Sequence, residues 1–129
     1  MNVEMMDIID VNICRQFPDK IFVFGDNLVG RGKGGQAVIR DEINSFGVPT
    51  KRLPSMNEGS FFSDRQDEGE SLLYSLRSLY KMGRTHVIVF PEAGLGTGRA
   101  LMKAKSPILW NEMCSILREH FGYGNGGVK

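Results

Sequence analysis

A run of glycines in the first third of the chain has the composition of an anion-binding loop. Residues 25–37 are Gly-Asp-Asn-Leu-Val-Gly-Arg-Gly-Lys-Gly-Gly-Gln-Ala. The run follows the apolar residues 21–24 and precedes apolar side chains at helical spacing, so the sequence predicts a strand, a loop and a helix. That order directs backbone N–H groups and the positive end of the helix dipole at a negatively charged group such as a phosphate. The alternative is a long turn whose glycines only permit positive φ angles.

A second glycine run follows another apolar segment. Residues 91–99 are Pro-Glu-Ala-Gly-Leu-Gly-Thr-Gly-Arg, and they come directly after the nearly continuous apolar run 85–90. Such a run is typical of a strand that is covered on both faces. Because ligands of open α/β sheets bind beyond the carboxyl ends of the strands, we expect both loops at one edge. The first glycine loop (25–37) and the second glycine loop (91–99) could then hold one ligand from two sides.

Two common phosphate-binding motifs do not fit these loops. Residues 30–35 satisfy GxGxxG, but the dinucleotide fingerprint needs its glycines directly after the strand and an acidic residue at the end of the next one. Here residues 25–29 separate the strand from Gly30, and the next extended segment carries Lys51 and Arg52. The pattern GxxxxGK[ST] is absent from both loops. The sequence therefore argues against a Rossmann NAD site and against a Walker-type ATPase.

Apolar spacing and helix-boundary residues predict the remaining elements. Strands alternate with helices, which indicates an α/β domain with three layers, and the whole chain, 1–129, is expected to form one domain. Residues 1–19 are the hardest to assign. The expected elements are an edge strand in 8–13, a strand over 20–24, a helix over 35–46 ending at Gly47, an extended segment 48–53, a helix from a Ser63–Gln66 capping box to Gly83, a strand over 85–90, a helix from Ser106-Pro107 to Gly122, and a frayed tail 124–129.

Composition and charge exclude several classes of function. The net charge is +1, which argues against a protein that coats nucleic acid. The two cysteines, Cys14 and Cys114, lack CxxC spacing, and with only two histidines beside them no metal site is expected. Their apolar surroundings predict buried thiols in a reducing compartment. No signal peptide and no apolar run of membrane length is present, so we expect a cytoplasmic protein without a membrane partner.

The order of these pieces resembles a macrodomain, the α/β module that binds ADP-ribose. Residues 32–37 (Gly-Lys-Gly-Gly-Gln-Ala) resemble its first ribose–phosphate loop, and residues 87–98 resemble the strand, proline and G-x-G of its diphosphate-binding loop. The pattern is most similar to small macrodomains that remove ADP-ribose from glutamate esters, such as the terminal ADP-ribose protein glycohydrolase, and to phage and bacterial relatives. The resemblance covers about residues 20–121 and implies an α/β/α fold with a mixed central sheet.

The resemblance also implies roles for individual residues. Lys51 occupies the position of a catalytic lysine that attacks the anomeric carbon of ribose, and a desolvated lysine can act as a nucleophile. The alternative for Lys51 is a phosphate clamp. Asp26 or Glu92 could supply a carboxylate, because Thr97 and Gly98 stand where the family has an aspartate after its second G-x-G. The reaction would be hydrolysis of an ADP-ribosyl linkage without a metal or cofactor.

The implied ligand is ADP-ribose or a related nucleotide, free or attached to a protein or nucleic acid. Two rivals remain: a reader or scavenger of nucleotides without turnover, and a partner-binding module with empty loops. Asp26 and Asn27 could equally be turn residues, Gln36 could brace its loop, and Phe61 and Phe62 could stack on a base or join the core. The candidate site residues are Asp26, Asn27, Gly32, Gly34, Gly35, Gln36, Ala37, Thr50, Lys51, Glu92, Ala93, Gly94, Leu95, Gly96, Thr97 and Gly98.

Overall fold

A four-stranded parallel sheet forms the centre of the protein. The computed structural model describes residues 1–127. The strand order is β1-β4-β2-β3, with β1 at Val3–Met6, β2 at Lys20–Asn27, β3 at Ser45–Lys51 and β4 at Val87–Pro91. Within the described residues every pairing of these strands is parallel, so the expectation of a mixed sheet is wrong. Long crossovers rather than hairpins connect the strands, and crossovers give parallel pairs whose carboxyl ends share one edge.

Helices cover both faces of this sheet. They are α1 (Val11–Gln16), α2 (Gln66–Met82), α3 (Met102–Lys105) and α4 (Pro107–Phe121). In β2, Ile21 and Val23 belong to the core beneath α2 and α4, whereas Phe22 and Phe24 belong to the core beneath α1. This alternation follows from the period of two in a strand, and it gives the α/β architecture three layers. No helix in residues 1–127 has both the length and the apolarity that a membrane crossing requires.

The N-terminal segment differs from its prediction. The edge strand lies at Val3–Met6 rather than within 8–13, although it does occupy an edge of the sheet. Residues 11–16 form α1, because the Oδ1 atom of Asp10 accepts a hydrogen bond from the N–H of Ile13 at 2.9 Å. An aspartate in this N-cap position satisfies a free N–H group of the first turn, and that favours the helix over a strand.

The helix predicted over 35–46 is also wrong. A 3₁₀ helix occupies only Gly35–Ile39, and the chain turns into β3 soon afterwards. The side-chain amide of Asn44 donates to three backbone carbonyls outside this segment, and the Ser45 hydroxyl donates to two carbonyls just before it. Such side-chain bonds compete with a helix. The apolar spacing was misleading because Ile43 is fully exposed.

The two long helices are confirmed, with one change at the start of α2. Gly122 ends α4 with a φ of 64°, as expected for a glycine C-cap. In α2 the capping contact does not join Ser63 to Gln66. Instead, the carboxylate of Glu68 accepts the N–H groups of Ser63 at 2.7 Å and Arg65 at 3.0 Å. The buried glutamate thus fixes the entry of the chain into α2.

A distant aspartate caps α4. The Asp64 carboxylate accepts the N–H groups of Leu109 at 2.9 Å and Ile108 at 3.3 Å, while Ser106 makes no side-chain cap. We expect Asp64→Ala to lower the free energy of unfolding by about 1 kcal/mol, measured by urea denaturation. Asp64→Asn should retain most of the stability, since asparagine keeps an acceptor and tolerates the positive φ of 59°. An alanine variant as stable as the unaltered protein would exclude the cap.

The tail predicted to fray over 124–129 is ordered where it can be described. Tyr123 and Asn125 are buried. The Tyr123 ring stacks on Phe90 with 4.2 Å between centroids, and its hydroxyl donates to the carbonyl of Pro91 at 2.5 Å. The last two positions of the predicted tail lie outside the described residues. The frayed-tail prediction, which begins at Gly124, is therefore wrong for its described part, because Asn125 forms hydrogen bonds with the backbone of Leu95, far away in sequence.

Both cysteines are buried free thiols, as predicted. Burial raises the pKa of Cys14 to about 11, and it also raises the pKa of Cys114. A thiol reacts as a nucleophile only in its thiolate form, so neither cysteine is suited to attack a substrate near neutral pH.

Candidate functional site

The two glycine loops line one cavity at the carboxyl edge of the sheet. Its volume is about 430 Å³, within the usual range of small-molecule sites. Gln36 joins the loops: its Nε2 donates to the carbonyl of Gly94 at 2.9 Å, and its Oε1 accepts the N–H of Gly25 at 2.9 Å. The predicted site residues that line the cavity are Asp26, Asn27, Gly32, Gly34, Gly35, Gln36, Ala37, Thr50, Lys51, Ala93, Gly94, Gly96, Thr97 and Gly98.

Two predicted site residues lie elsewhere. Glu92 is exposed, and its N–H donates to the carbonyl of Met6 at the end of β1, away from the cavity. The Leu95 side chain is completely buried in the core beneath α2 and α4. Leu95 therefore contributes packing, and the glycines on either side of it provide the cavity wall.

Unpaired backbone N–H groups are concentrated in both loops. Within residues 1–127, the N–H groups of residues 34–36 and 96–99 make no hydrogen bond. Those of the first loop stand at the start of the 3₁₀ helix, where the initial N–H groups have no partner within the helix. Gly35, Gly96 and Gly98 have φ angles of 57°, 76° and 52°. Successive N–H groups around such left-handed residues form concave sites for anions.

Two cations line the same cavity. Lys51 and Arg99 both contribute to its wall, and neither forms an ion pair with a carboxylate in the described part of the chain. The Lys51 ammonium donates to the carbonyl of Ser55 and lies 5.0 Å from the centre of the Phe61 ring. Burial lowers the pKa of Lys51 below the ordinary value of a lysine, and the positive charge of Arg99 lowers it further. The cavity thus favours an anion.

An ion pair braces the first glycine loop. The Asp26 carboxylate accepts a hydrogen bond from Arg40 Nη2 at 2.6 Å and another from the N–H of Asn27 at 2.7 Å. Arg40 also donates through Nε to the carbonyl of Gly32 at 2.8 Å and through Nη2 to that of Arg31 at 3.1 Å. Asp26 is therefore occupied as an anchor. No local feature of the sequence points to Arg40, which lies inside the predicted helix.

Asn27 and Thr50, which also line the cavity, have structural partners. The Asn27 amide donates to the carbonyl of Arg31 at 2.8 Å and accepts the N–H of Val29 at 3.1 Å, which is the turn role expected of asparagine. The Thr50 hydroxyl donates to the carbonyl of Asp26 at 3.3 Å, and Thr50 is buried. These bonds fix the ends of β2 and β3 beside Lys51.

A comparison with protein-family models assigns the chain to a family. Residues 4–116 match the model of a family of unknown function, DUF7831. The chain belongs to DUF7831. Among the curated proteins and the solved structures, no match was found. The DUF7831 match includes both glycine loops and Lys51, whereas the buried residues Tyr123 and Asn125 lie beyond it.

The phenylalanine pair of this DUF7831 protein belongs to the core. Phe61 and Phe62 are 4% and 1% exposed, so neither presents a free face to a base, and the core alternative is confirmed. The Phe61 ring instead contacts the ammonium groups of Lys51 and Lys105, which lie 5.0 and 5.2 Å from its centre.

A smaller cavity of about 260 Å³ adjoins the first one. The two share Gly35, Gln36 and Ala93 in their walls. Apolar side chains, among them Val23 and Ile39, supply most of the remaining lining. The candidate site therefore consists of a larger chamber lined by the two glycine loops and an apolar chamber beside it.

Proposed function

We propose that this DUF7831 protein binds ADP-ribose or a closely related nucleoside diphosphate between its two glycine loops. The observation that carries the proposal is that, within residues 1–127, two rows of unpaired N–H groups and two cations without a carboxylate partner, Lys51 and Arg99, line one cavity. Helix-start N–H groups and cationic side chains are the groups with which proteins bind phosphates. Each loop can take one phosphate of a diphosphate.

The shape of the site suits the rest of such a ligand. The apolar chamber beside the first glycine loop offers burial for a base, and Asp7 in its wall offers a carboxylate to an exocyclic amino group. Thr50 and Lys51 line the larger cavity, where they would contact a second sugar. A three-layer α/β fold with a cavity at the carboxyl edge of its sheet supports a macrodomain-like relationship, with a parallel sheet in place of a mixed one.

A second candidate function is hydrolysis of an ADP-ribosyl ester, favoured by the lowered pKa of Lys51. Its neutral amine would form a bond to the anomeric carbon as the C–O bond to the modified carboxylate breaks, and the carboxylate would leave with the electron pair. The amine would release its proton to solvent, and water would then replace the lysine and free ADP-ribose. Asp26 suits proton transfer poorly because Arg40 holds it, which leaves binding without turnover as the alternative.

Calorimetric titration with ADP-ribose, ADP and AMP tests the binding proposal. ADP-ribose should bind, and at 100 times its Kd it should stabilise the fold by about 2.7 kcal/mol in thermal unfolding. Absence of heat and of stabilisation with all three nucleotides would favour the partner-binding module instead. Turnover is measured separately, as release of free ADP-ribose from a peptide modified on glutamate. An unchanged peptide would indicate that the protein reads ADP-ribosylated protein or nucleic acid without turnover.

A methyl group between the loops should hinder binding without disturbing the fold. Gly34 has a φ of −78°, which any residue can adopt, and an added Cβ would meet Arg99 Nη1 at an ordinary 3.6 Å. We expect Gly34→Ala to reduce ADP-ribose affinity by about ten-fold, or 1.4 kcal/mol, in calorimetry. Gly59→Ala is the matched control, because a Cβ there meets nothing within 4 Å and lies outside the cavity. Equal affinities of the two variants would remove Gly34 from the site.

A further inference from the structure

The C-terminal tail contributes a side chain to the second glycine loop. Asn125 is 1% exposed, and its amide forms two hydrogen bonds with the backbone of Leu95. The Oδ1 atom accepts the N–H of Leu95 at 2.6 Å, and Nδ2 donates to the carbonyl of Leu95 at 2.8 Å. Nδ2 also lies 3.7 Å from the sulfur of Cys114. The amide thus satisfies both backbone groups of Leu95, as a neighbouring strand would.

We infer that Asn125 is a positioning residue that holds the second glycine loop in its ligand-binding shape; this inference rests on the proposed function. Gln36 binds the carbonyl of Gly94 from the first glycine loop, and Asn125 binds the next residue from the tail. Two successive peptides are therefore fixed by side-chain amides on different elements. The N–H groups of residues 96–99, which come directly after them, keep their unpaired arrangement.

Close packing leaves the loop little room to move while the tail is in place. A Cβ atom on Gly94 would come within 2.7 Å of the Gly126 nitrogen, so the backbones of loop and tail are in contact. The Tyr123 hydroxyl anchors the tail to the carbonyl of Pro91, where the loop begins. The tail therefore touches both the start and the middle of the loop.

A diphosphate should depend on Asn125 more than a monophosphate does. Two phosphates need both glycine loops, whereas one phosphate can remain bound to the N–H groups of the first loop alone. Loss of the second loop's shape would then weaken the binding of ADP-ribose, while the affinity for AMP is largely retained. General damage to the fold would weaken the binding of both nucleotides alike.

The test compares Asn125→Ala and Asn125→Asp with the unaltered protein. Aspartate keeps the acceptor for the N–H of Leu95 but places a carboxylate oxygen against its carbonyl, so both variants should loosen the loop. Hydrogen exchange of the Ala100 and Met102 amides, which donate to Thr97 and Gly96, should accelerate without ligand. The Kd for ADP-ribose should rise by about ten-fold or more, and that for AMP by less than about three-fold.

Controls separate the inference from the proposed function. Asp64→Ala should lower stability while leaving both nucleotide affinities and the exchange of Ala100 and Met102 unchanged. Unchanged exchange in both Asn125 variants, or equal weakening of ADP-ribose and AMP, would overturn the positioning role. If the unaltered protein binds neither nucleotide, the proposed function fails, and the exchange of Ala100 and Met102 still decides whether Asn125 shapes the loop.

Discussion

Replacing Lys51 by methionine is expected to weaken ADP-ribose binding by about 10- to 100-fold in calorimetry at pH 7. A hydrogen bond to a charged group contributes about 1.5–3 kcal/mol, and each 1.4 kcal/mol corresponds to ten-fold in affinity. Methionine keeps the length and apolar stem that lie beside Phe61, so the fold should persist. The matched control is Lys105→Met, because Lys105 contacts the same ring but pairs with Glu58 and does not line the cavity.

The pH dependence distinguishes the two roles of Lys51. Its lowered pKa means that it loses its proton at a lower pH than an ordinary lysine, whose pKa is about 10.4. As a phosphate clamp it acts in the protonated form, so the affinity of the unaltered protein should fall as pH rises through the lowered pKa. As a nucleophile it acts in the neutral form, so turnover should rise over the same interval. Affinity and turnover that are both independent of pH, with Lys51→Met unchanged, would exclude both roles.

Replacing Arg40 by methionine is expected to have the largest effect on stability. The variant leaves the Asp26 carboxylate without its cation and frees the carbonyls of Gly32 and Arg31. Breaking a buried ion pair costs about 3–5 kcal/mol, and the lower end applies here because each side chain is still 15% exposed. Urea denaturation should therefore show a loss of about 3 kcal/mol, and ADP-ribose binding should be lost with the first glycine loop.

The double variant Asp26→Asn with Arg40→Met serves as the control for this effect. It removes the uncompensated carboxylate, so it should recover part of the stability that Arg40→Met loses. The contacts from Arg40 to the two loop carbonyls remain absent, and binding should stay weak. An Arg40→Met variant within about 0.5 kcal/mol of the unaltered protein would show that the ion pair does not brace the loop.

Local signals in the sequence were sufficient for the elements that depend on neighbouring residues. The leucine spacing of α2, the proline and glycine at the ends of α4, and the apolar runs of β2 and β4 all predicted their structures. The helix prediction for 35–46 failed because the conformation of this segment is set by the hydrogen bonds of Asn44 to carbonyls on another part of the chain. Apolar periodicity carries no information about such bonds.

In the candidate site, too, local sequence predicted some of the functional residues and missed others. The glycine content of the sequence predicted both loops. Gln36 braces its loop, as its residue type suggested, because its partners Gly25 and Gly94 lie in β2 and in the second glycine loop. Arg40 and Asn125 were missed, since each binds a backbone or carboxylate 14 to 30 residues away. Glu92 was misplaced because a loop's sequence does not say which side chains turn inward.

Amide chemical shifts during a titration of the isotopically labelled protein with ADP-ribose provide the most direct test of a shared diphosphate site. If both loops hold one ligand, the amides of residues 34–36 and 96–99 should shift together and saturate with a single Kd. The Gly59 amide, outside the cavity, should not move. Shifts confined to one loop, or an absence of shifts in both at saturating ADP-ribose, would contradict the site.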